Sequence, residues 1–283
     1  MTHEPPRPAA PSIALNNGTE IPQLGLGVFQ IPPDQVVRTV LTAIAAGYRL
    51  VDTAAAYGNE EGVGRAITSS GVPRHELYVT TKLWNSDHGY DRALRAFDRS
   101  LARLGLDHVD LYLIHWPLPG RDDYLETWKA LERIASEGRA RAIGVSNFSQ
   151  AHLDRLRAET EVVPVLNQIE LHPRLSQASL RRYHDDHGIR TQAWSPLGQG
   201  KGLLGDPVLG GLAVARRRSA AQVVLRWHVQ LGNLAIPKSV TPERIRSNLD
   251  VFDFALTDAD MATLATLDRG QRVGPDPEAF DAQ

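Results

Sequence analysis

Val109-Asp110-Leu111-Tyr112-Leu113-Ile114-His115 is the stretch on which the fold class turns. A short, mostly apolar run closed by a polar residue and followed by an amphipathic segment reads as a strand leading into a helix. Three other runs close in the same way: Tyr48-Arg49-Leu50-Val51 on Asp52, Leu77-Tyr78-Val79-Thr80-Thr81 on Lys82, and Ala142-Ile143-Gly144-Val145 on Ser146. Tyr57 follows Asp52 by five positions. In a parallel α/β fold the polar groups at the carboxyl ends of successive strands meet in one place.

Working outward, the alternation continues along the chain. A hairpin is expected at the start, Ser12–Leu15 and Glu20–Pro22 flanking the turn Asn16-Asn17-Gly18, which tolerates positive φ. The run Gln23–Phe29 follows, then a helix from Asp34 to Ala46 with Val37, Val40, Leu41 and Ile44 on one face and Gly47 as its stop. Further helices are expected over Glu60–Ser69, Tyr90–Leu104, Asp123–Glu137, Ser149–Glu159, Gln177–Asp186, Ala220–Leu231 and Pro242–Asn248. The later strands are Val165–Gln168, Ile189–Trp194 and Leu234–Pro237, with extra helices at Pro207–Ala215 and Asp258–Leu267. Eight β-runs alternating with helices imply parallel pairing and right-handed crossovers. The fold class is therefore α/β, a single (β/α)8 TIM barrel over residues 12–283 with an N-terminal β-hairpin and extra helices near the C-terminus. An open doubly wound sheet is the alternative.

Composition excludes several classes. The 283 residues carry a net charge of -2 with acids and bases interspersed, which gives no bulk attraction for nucleic acid or a membrane surface. The hydrophobic fraction, 42%, is ample for a large core. No cysteine is present, so disulfides, thiolate metal sites and cysteine catalysis are all excluded. Residues 1–11 hold four prolines and no apolar run, and read as a mobile tail rather than a signal peptide. No run approaches the ~20 apolar residues that span a bilayer, and a cytoplasmic location is expected.

The strand-end residues suit proton transfer. A free phenol has a pKa near ~10, too high for efficient donation at neutral pH. An ammonium beside Tyr57 would stabilise the phenolate, and Lys82 is placed to supply it; lowering the pKa by ~2 units takes only ~2.7 kcal/mol. Asp52 would hold Lys82 charged and in place. His115 would hydrogen-bond a substrate oxygen. This set has no nucleophile and no metal, so the missing reactant is a cofactor. A hydride donor completes it, with hydride going to a carbonyl carbon and the Tyr57 proton to its oxygen. Singly, each residue has an ordinary reading as a turn, packing or solvated residue; together, at one end of consecutive strands, they favour chemistry.

A separate anion site is expected where the last strand meets the last helix, at Ile236-Pro237-Lys238-Ser239-Val240-Thr241-Pro242-Glu243-Arg244. Thr241 suits an N-cap and Pro242 the first helical position. A helix N-terminus flanked by Lys238, Ser239 and Arg244 is a phosphate site, and barrels often bind phosphate after their seventh and eighth strands.

Other motifs carry less. Gly25-Leu26-Gly27 and Gly62-Val63-Gly64 lack the third glycine of a dinucleotide fingerprint. Gly144-Val145-Ser146-Asn147-Phe148 lacks the second glycine of a nucleophile elbow. His184-Asp185-Asp186-His187 reads as a solvated helix terminus rather than a metal cluster, and no metal is expected.

Gly47-Tyr48-Arg49-Leu50-Val51-Asp52-Thr53-Ala54 with Tyr57-Gly58-Asn59-Glu60 resembles the opening signature of the aldo-keto reductases. Leu111–Pro117, Gly144–Phe148, Asn167–Glu170 and Ile236–Ser239 continue the resemblance in order, from about Ile13 to Leu267. Trp84, Trp194–Lys201 and Asn248–Phe252 bring it closest to the bacterial diketo-gluconate reductase branch. The resemblance implies the (β/α)8 fold and NADPH-dependent carbonyl reduction, with Tyr57 as the acid, Lys82 and Asp52 tuning it, and His115 orienting the carbonyl. It implies that Ser146, Asn147 and Gln168 hold the nicotinamide amide and that Trp194 stacks on the ring. Ser195, Leu197, Gly198, Gln199 and Gly200 would fold over the pyrophosphate. Lys238, Ser239, Val240, Thr241 and Arg244 would form the 2′-phosphate end, and Asn248 would reach the adenine. Ser247 departs from the Glu or Gln of many relatives, which implies weaker cofactor binding.

Phe29, Trp84 and Trp116 follow strand ends and are expected, with His115, to wall a substrate pocket for a small carbonyl compound. The tail Asp268–Gln283 names no substrate. Two other classes stay open: a nucleotide-sensing NADPH-binding protein with little turnover, and a phosphate-substrate isomerase or aldolase barrel with Lys82 as Schiff-base amine. A monomer is expected.

Overall fold

A computed structural model describes residues 10–281 of the chain. The expected tail lies outside the described residues except for its last two, and there the Pro11 carbonyl accepts a hydrogen bond from Gln23 N at 2.8 Å. An antiparallel hairpin comes first, β1 Ser12–Ala14 and β2 Glu20–Pro22, with Ile13 opposite Ile21. Eight parallel strands follow: β3 Leu26–Gly27, β4 Leu50–Asp52, β5 Tyr78–Leu83, β6 Val109–Ile114, β7 Ala140–Ser146, β8 Leu166–Glu170, β9 Arg190–Trp194 and β10 Leu234–Ala235. They pair in chain order. Hydrogen bonds from Gly25 N to Ala235 O, from Ala235 N to Gln23 O and from Gly27 N to Pro237 O join the last strand to the first. The sheet is thus a closed barrel, and the open-sheet alternative does not apply. The long first run, Gln23–Phe29, is a strand over only two residues because this seam is irregular.

Each parallel step is covered by a helix: α1 Pro33–Ala45, α2 Glu60–Ser69, α3 Tyr90–Leu104, α4 Tyr124–Ser136, α5 Gln150–Glu159, α6 Ala178–Asp186, then α7 Pro207–Arg216 and α8 Ala220–Gln230 in one crossover, and α9 Pro242–Leu249 after β10. α10, Asp258–Ala265, is an addition. The expected helix spans agree to within one or two residues, because Asp123, Ser149 and Gln177 stand as N-caps rather than inside their helices. In α1 the buried face is Val36, Val40, Ala43 and Ile44, and Val37 and Leu41 only flank it. The rotation follows from α2, where Gly62 leaves room for Val36: a Cβ on Gly62 would lie 2.2 Å from Val36 Cγ1. Among the described residues no helix is long and apolar enough to cross a membrane.

Register explains why the strand ends converge. Leu50 lies beside Tyr78, Asp52 beside Thr80, Thr80 beside Leu111, Lys82 beside Leu113, and Gly144 beside Leu113. Parallel neighbours in register point the same way, and side chains alternate with period two. The barrel interior is therefore layered. Leu50, Leu111, Leu113, Ala142, Leu166 and Leu234 fill its lower part together with Leu15 and Ile21 of the hairpin. Asp52, Lys82, Ser146 and Gln168, two residues further along their strands, form the upper layer. Tyr112, Ile114, Val51 and Val145 face outward into the larger core beneath the helices.

The seam needs glycine. A Cβ on Gly27 would sit 2.8 Å from the Ile236 carbonyl oxygen, which is backbone and cannot step aside cheaply. Gly27→Ala is therefore expected to lower unfolding free energy by ~1–3 kcal/mol. Gly210→Ala, in the exposed middle of α7 with nothing within 4 Å of the new Cβ, is expected to raise it by ~0.5–1 kcal/mol. Urea denaturation of the two variants against the parent checks both signs.

Candidate active site

The upper interior layer is held by one ion pair. Lys82 Nζ donates to Asp52 Oδ1 at 2.6 Å and to Thr53 O at 2.9 Å, with both charged side chains essentially inaccessible to solvent. Asp52 Oδ2 accepts from Gln168 Nε2 at 2.7 Å, and the same amide donates to Gln192 Oε1 at 2.8 Å. Burial pushes the Asp52 carboxyl up and the Lys82 ammonium down, and the contact between them opposes both shifts.

Tyr57 hangs over this pair from a 3₁₀ turn, Ala55–Tyr57, that Gly58 ends in the left-handed region. Asn59 fixes the turn: it accepts from Thr53 Oγ1 at 2.7 Å and donates to Val28 O at 3.0 Å. Lys82 Nζ is 3.5 Å from the Tyr57 hydroxyl and 5.1 Å from its ring centre. The expectation that Lys82 lowers the phenol's pKa is not met. Burial, and then the Asp52 charge, hold it well above 10, because Lys82 spends its charge on Asp52. Tyr57 therefore keeps its proton through neutral pH.

His115 follows β6, its ring edge-on to Tyr57 at 5.7 Å and to Trp84 at 5.2 Å. Burial, and then the positive Lys82, hold the imidazole well below its ordinary pKa of 6.5, so it is neutral at pH 7. Among the described residues Nδ1 has no hydrogen-bond partner.

Asp52, Tyr57, His115, Phe29, Trp84, Trp116, Ser146, Asn147, Gln168, Trp194, Ser195, Leu197, Gln199, Gly200, Lys238, Ser239, Val240, Thr241, Arg244 and Asn248 all line one cavity of about 1350 Å³. Two of the expected residues do not line it. Lys82 lies beneath, screened by Tyr57, and Gly198 is turned toward Leu203, where a Cβ would come within 2.9 Å of Leu203 Cβ. The amides at the centre are bonded to one another: Asn147 donates to His115 O at 2.9 Å and to Ser146 Oγ at 3.1 Å, and accepts from Trp194 Nε1 at 2.8 Å. Ser146 Oγ donates to Gln168 O at 2.8 Å.

Charge divides the cavity. Lys238 and Arg244 stand exposed at the N-terminus of α9, with Ser239 buried between β10 and the helix and Asn248 buried further along it. Thr241 occupies the N-cap position but makes no side-chain cap; Ser239 Oγ instead accepts its backbone N–H at 3.2 Å. The first N–H groups of α9 and the two cations thus give this end of the cavity a positive potential that suits an anion. The Tyr57 end is walled by Phe29, Trp84 and Trp116, and Val273, Pro275 and Phe280 of the C-terminal segment close it. Phe280 packs on Trp116 at 4.3 Å between ring centres.

Sequence reasoning missed Gln192, Thr53, Asn59 and the C-terminal wall. Gln192 had a signal, since it lies level with Gln168 in the next strand. Phe280 had none, because no periodicity links a tail to a barrel mouth. The cluster at the end of α6 is also corrected. Asp185 and Asp186 are exposed, but His184 is buried. It touches Asn167 Nδ2 at 3.1 Å and Thr191 Oγ1 at 2.8 Å, and burial pushes it down to about 3. It is a core histidine that steadies Asn167, which in turn holds both backbone groups of Phe148. Among the described residues no group of three His, Asp or Glu is placed to hold a metal ion.

The model of the Aldo/keto reductase family matches residues 21–269. An aldo-keto reductase of Mycobacterium sp. (strain KMS) is 56% identical over 96% of this chain and 98% of its own. Morphine 6-dehydrogenase of Pseudomonas putida is 54% identical over 96% of each chain. Among solved structures, a mutant of Gox0644 in complex with NADPH superposes with a TM-score of 0.92 at 47% identity, covering 96% of this chain and 99% of that one.

Removing one member of a buried ion pair strands the other, at ~3–5 kcal/mol. Asp52→Asn is expected to lose that much unfolding free energy. The double variant Asp52→Leu with Lys82→Met is expected to recover most of the loss, as read in a denaturant double-mutant cycle.

Proposed function

The chain belongs to the aldo/keto reductase family, and on that premise we propose that it is an NADPH-dependent reductase of uncharged, largely apolar aldehydes and ketones, with Tyr57 as the general acid. The observation that carries this reading is the placing of a proton-bearing phenol, a neutral imidazole and a buried Lys–Asp pair at one end of a cavity whose other end is cationic. NADPH suits the donor set. Its 2′-phosphate would meet Lys238, Ser239, Arg244 and the α9 N-terminus, its adenine Asn248, and its nicotinamide the Trp194 face beside Ser146, Asn147 and Gln168. The complex of a relative with NADPH supports the assignment. When bound, NADPH supplies a hydride to the carbonyl carbon.

The remaining work falls to this chain. A neutral His115 presents an N–H to the carbonyl oxygen and fixes its direction. Tyr57 passes its hydroxyl proton to the same oxygen as negative charge develops there. Lys82, 3.5 Å away, offsets only part of the cost of the phenolate left behind, a cost that burial and Asp52 keep high. Asp52 holds Lys82 charged in the dry interior. The aromatic wall excludes water and contributes apolar area, but no cation for a substrate carboxylate, so keto-sugar acids are the poorer substrates. A relative named for its action on morphine, a polycyclic alcohol, agrees with a roomy apolar pocket. The Schiff-base reading of Lys82 loses support, because a nucleophilic amine has to be free and within reach of the cavity, and this one is ion-paired and buried.

The test is the loss of NADPH absorbance against a panel of carbonyl compounds. Tyr57→Phe is expected to lower kcat/KM by ~10²–10⁴. Tight NADPH binding with no turnover of any carbonyl would overturn the reading and leave a nucleotide-binding protein. Arg244→Ala is expected to raise KM for NADPH by ~10-fold or more, since a hydrogen bond to a charged group contributes ~1.5–3 kcal/mol, while NADH kinetics stay unchanged.

The pH dependence has a defined sign. Reduction needs the protonated phenol, so rate falls as pH rises through the Tyr57 pKa. Asp52 is one of the causes that raise that pKa. No alkaline limb of kcat/KM from Tyr57 is therefore expected below pH 10 in the parent, as a pH–rate profile reads it. No limb near pH 6.5 is expected from His115, whose pKa lies well below that value.

A further inference from the structure

The C-terminal segment reaches the cavity because a buried carboxylate holds it there. Glu170 ends β8, and its side chain is fully enclosed. Oε1 accepts from Val273 N at 2.5 Å and lies 3.1 Å from His172 Nε2, and Oε2 accepts from Gly274 N at 3.0 Å. Gln177 Nε2 donates to the backbone oxygen of the same residue at 2.5 Å. A buried carboxylate is costly unless its oxygens are fully hydrogen-bonded, and here two backbone N–H groups of a distant strap do much of that. The strap is also held upstream, where Arg174 O accepts from Arg269 N and Gln271 N. Lys201, in the loop after β9, donates to Val273 O at 2.7 Å.

The hold sets the pocket wall. Gly274 lies against Trp194, so closely that a Cβ would come within 2.4 Å of the indole Cη2. Downstream of it, Pro275 and Phe280 close the Tyr57 end, with Phe280 against Trp116. Chain entropy would otherwise favour a frayed terminus.

We propose that Glu170 is a positioning residue for substrate: by clamping Val273 and Gly274 it fixes the strap that forms the outer wall of the carbonyl pocket, and so sets selection for bulky over small carbonyl compounds. This rests on the reductase reading above for its substrate class. The Glu170 carboxylate does not line the cavity, so its effect passes through the strap. Glu170→Gln keeps the size of the side chain and one acceptor oxygen but puts an N–H donor opposite an N–H of the strap. Glu170→Asp keeps the charge beside His172 but draws the oxygens back from the strap N–H groups.

Two measurements decide it. The first compares naphthaldehyde with propanal in NADPH oxidation. Both variants are expected to raise KM for naphthaldehyde by about tenfold, the loss of one hydrogen bond to a charged group, and to leave kcat and KM for propanal unchanged. The second needs no activity. Limited trypsin digestion of the full chain, at a temperature where both variants stay folded, is expected to cut after Arg272 several times faster in both variants than in the parent. Equal KM changes for both aldehydes, or cleavage at Arg272 no faster than in the parent, would overturn the proposal. If the parent reduces no carbonyl, the reductase reading falls, and the cleavage rate still decides whether Glu170 holds the strap. If Glu170→Gln does not fold, Glu170→Asp gives the same decision.

Discussion

A lysine ammonium and an aspartate carboxylate, both shut away from water and 2.6 Å apart, are the constraint around which the rest of this molecule is arranged. Neither charge survives alone in such a place, since an unpaired buried ion costs several kcal/mol or neutralises itself. The pair in turn needs partners for its remaining oxygens and protons. Thr53 supplies a carbonyl on one side, and Gln168 supplies an amide from 116 residues further along the chain on the other. The site can therefore exist only when β4, β5 and β8 have closed around a common interior. Barrel closure and site assembly are one event.

Layering follows from the same constraint. The lower interior is apolar and plugged by Leu15 and Ile21 of the hairpin, so water has no route to the ion pair from below. Above it, Tyr57 and His115 form the floor of the cavity, one with a raised pKa and one with a lowered pKa, so both are neutral at pH 7. Neutrality here is a property of the dry setting rather than of either residue. A second buried carboxylate, Glu170, answers the same cost differently: it takes backbone N–H groups from the C-terminal strap rather than a cation. One buried charge thereby joins the strands beneath the cavity, and another joins the C-terminal strap to β8.

Much of this was legible in the chain. The apolar runs closed by Asp52, Lys82, His115 and Ser146 are strands that end in the site or within a residue of it, and the alternation with helices is the barrel that forms. The helix spans differ only where a cap residue was counted as helical. Three matters were not legible. The first strand is two residues long because its partners across the seam bond to Gly25 and Gly27 outside regular geometry. His184 is a buried support for Asn167 and not a solvated terminus, a difference set by the β8–β9 register. The Tyr57 pKa moves up where an ammonium alone would move it down, because the charge of Lys82 is already claimed by Asp52.

By itself, then, the amino-acid sequence determined which residues stand at strand ends, the fold class, and the presence of a strand-end tyrosine and a cationic helix terminus. These depend on periodicity, on local turn chemistry and on residue type, all of which are short-range. The tertiary structure alone decided which polar groups spend their hydrogen bonds on one another, as Asn147, Ser146, Trp194 and Gln168 do, and where the tail comes to rest. Those outcomes depend on distances between residues a hundred positions apart and on how much water remains around them. No local pattern encodes either quantity, because burial and partnership arise only once the strands have closed.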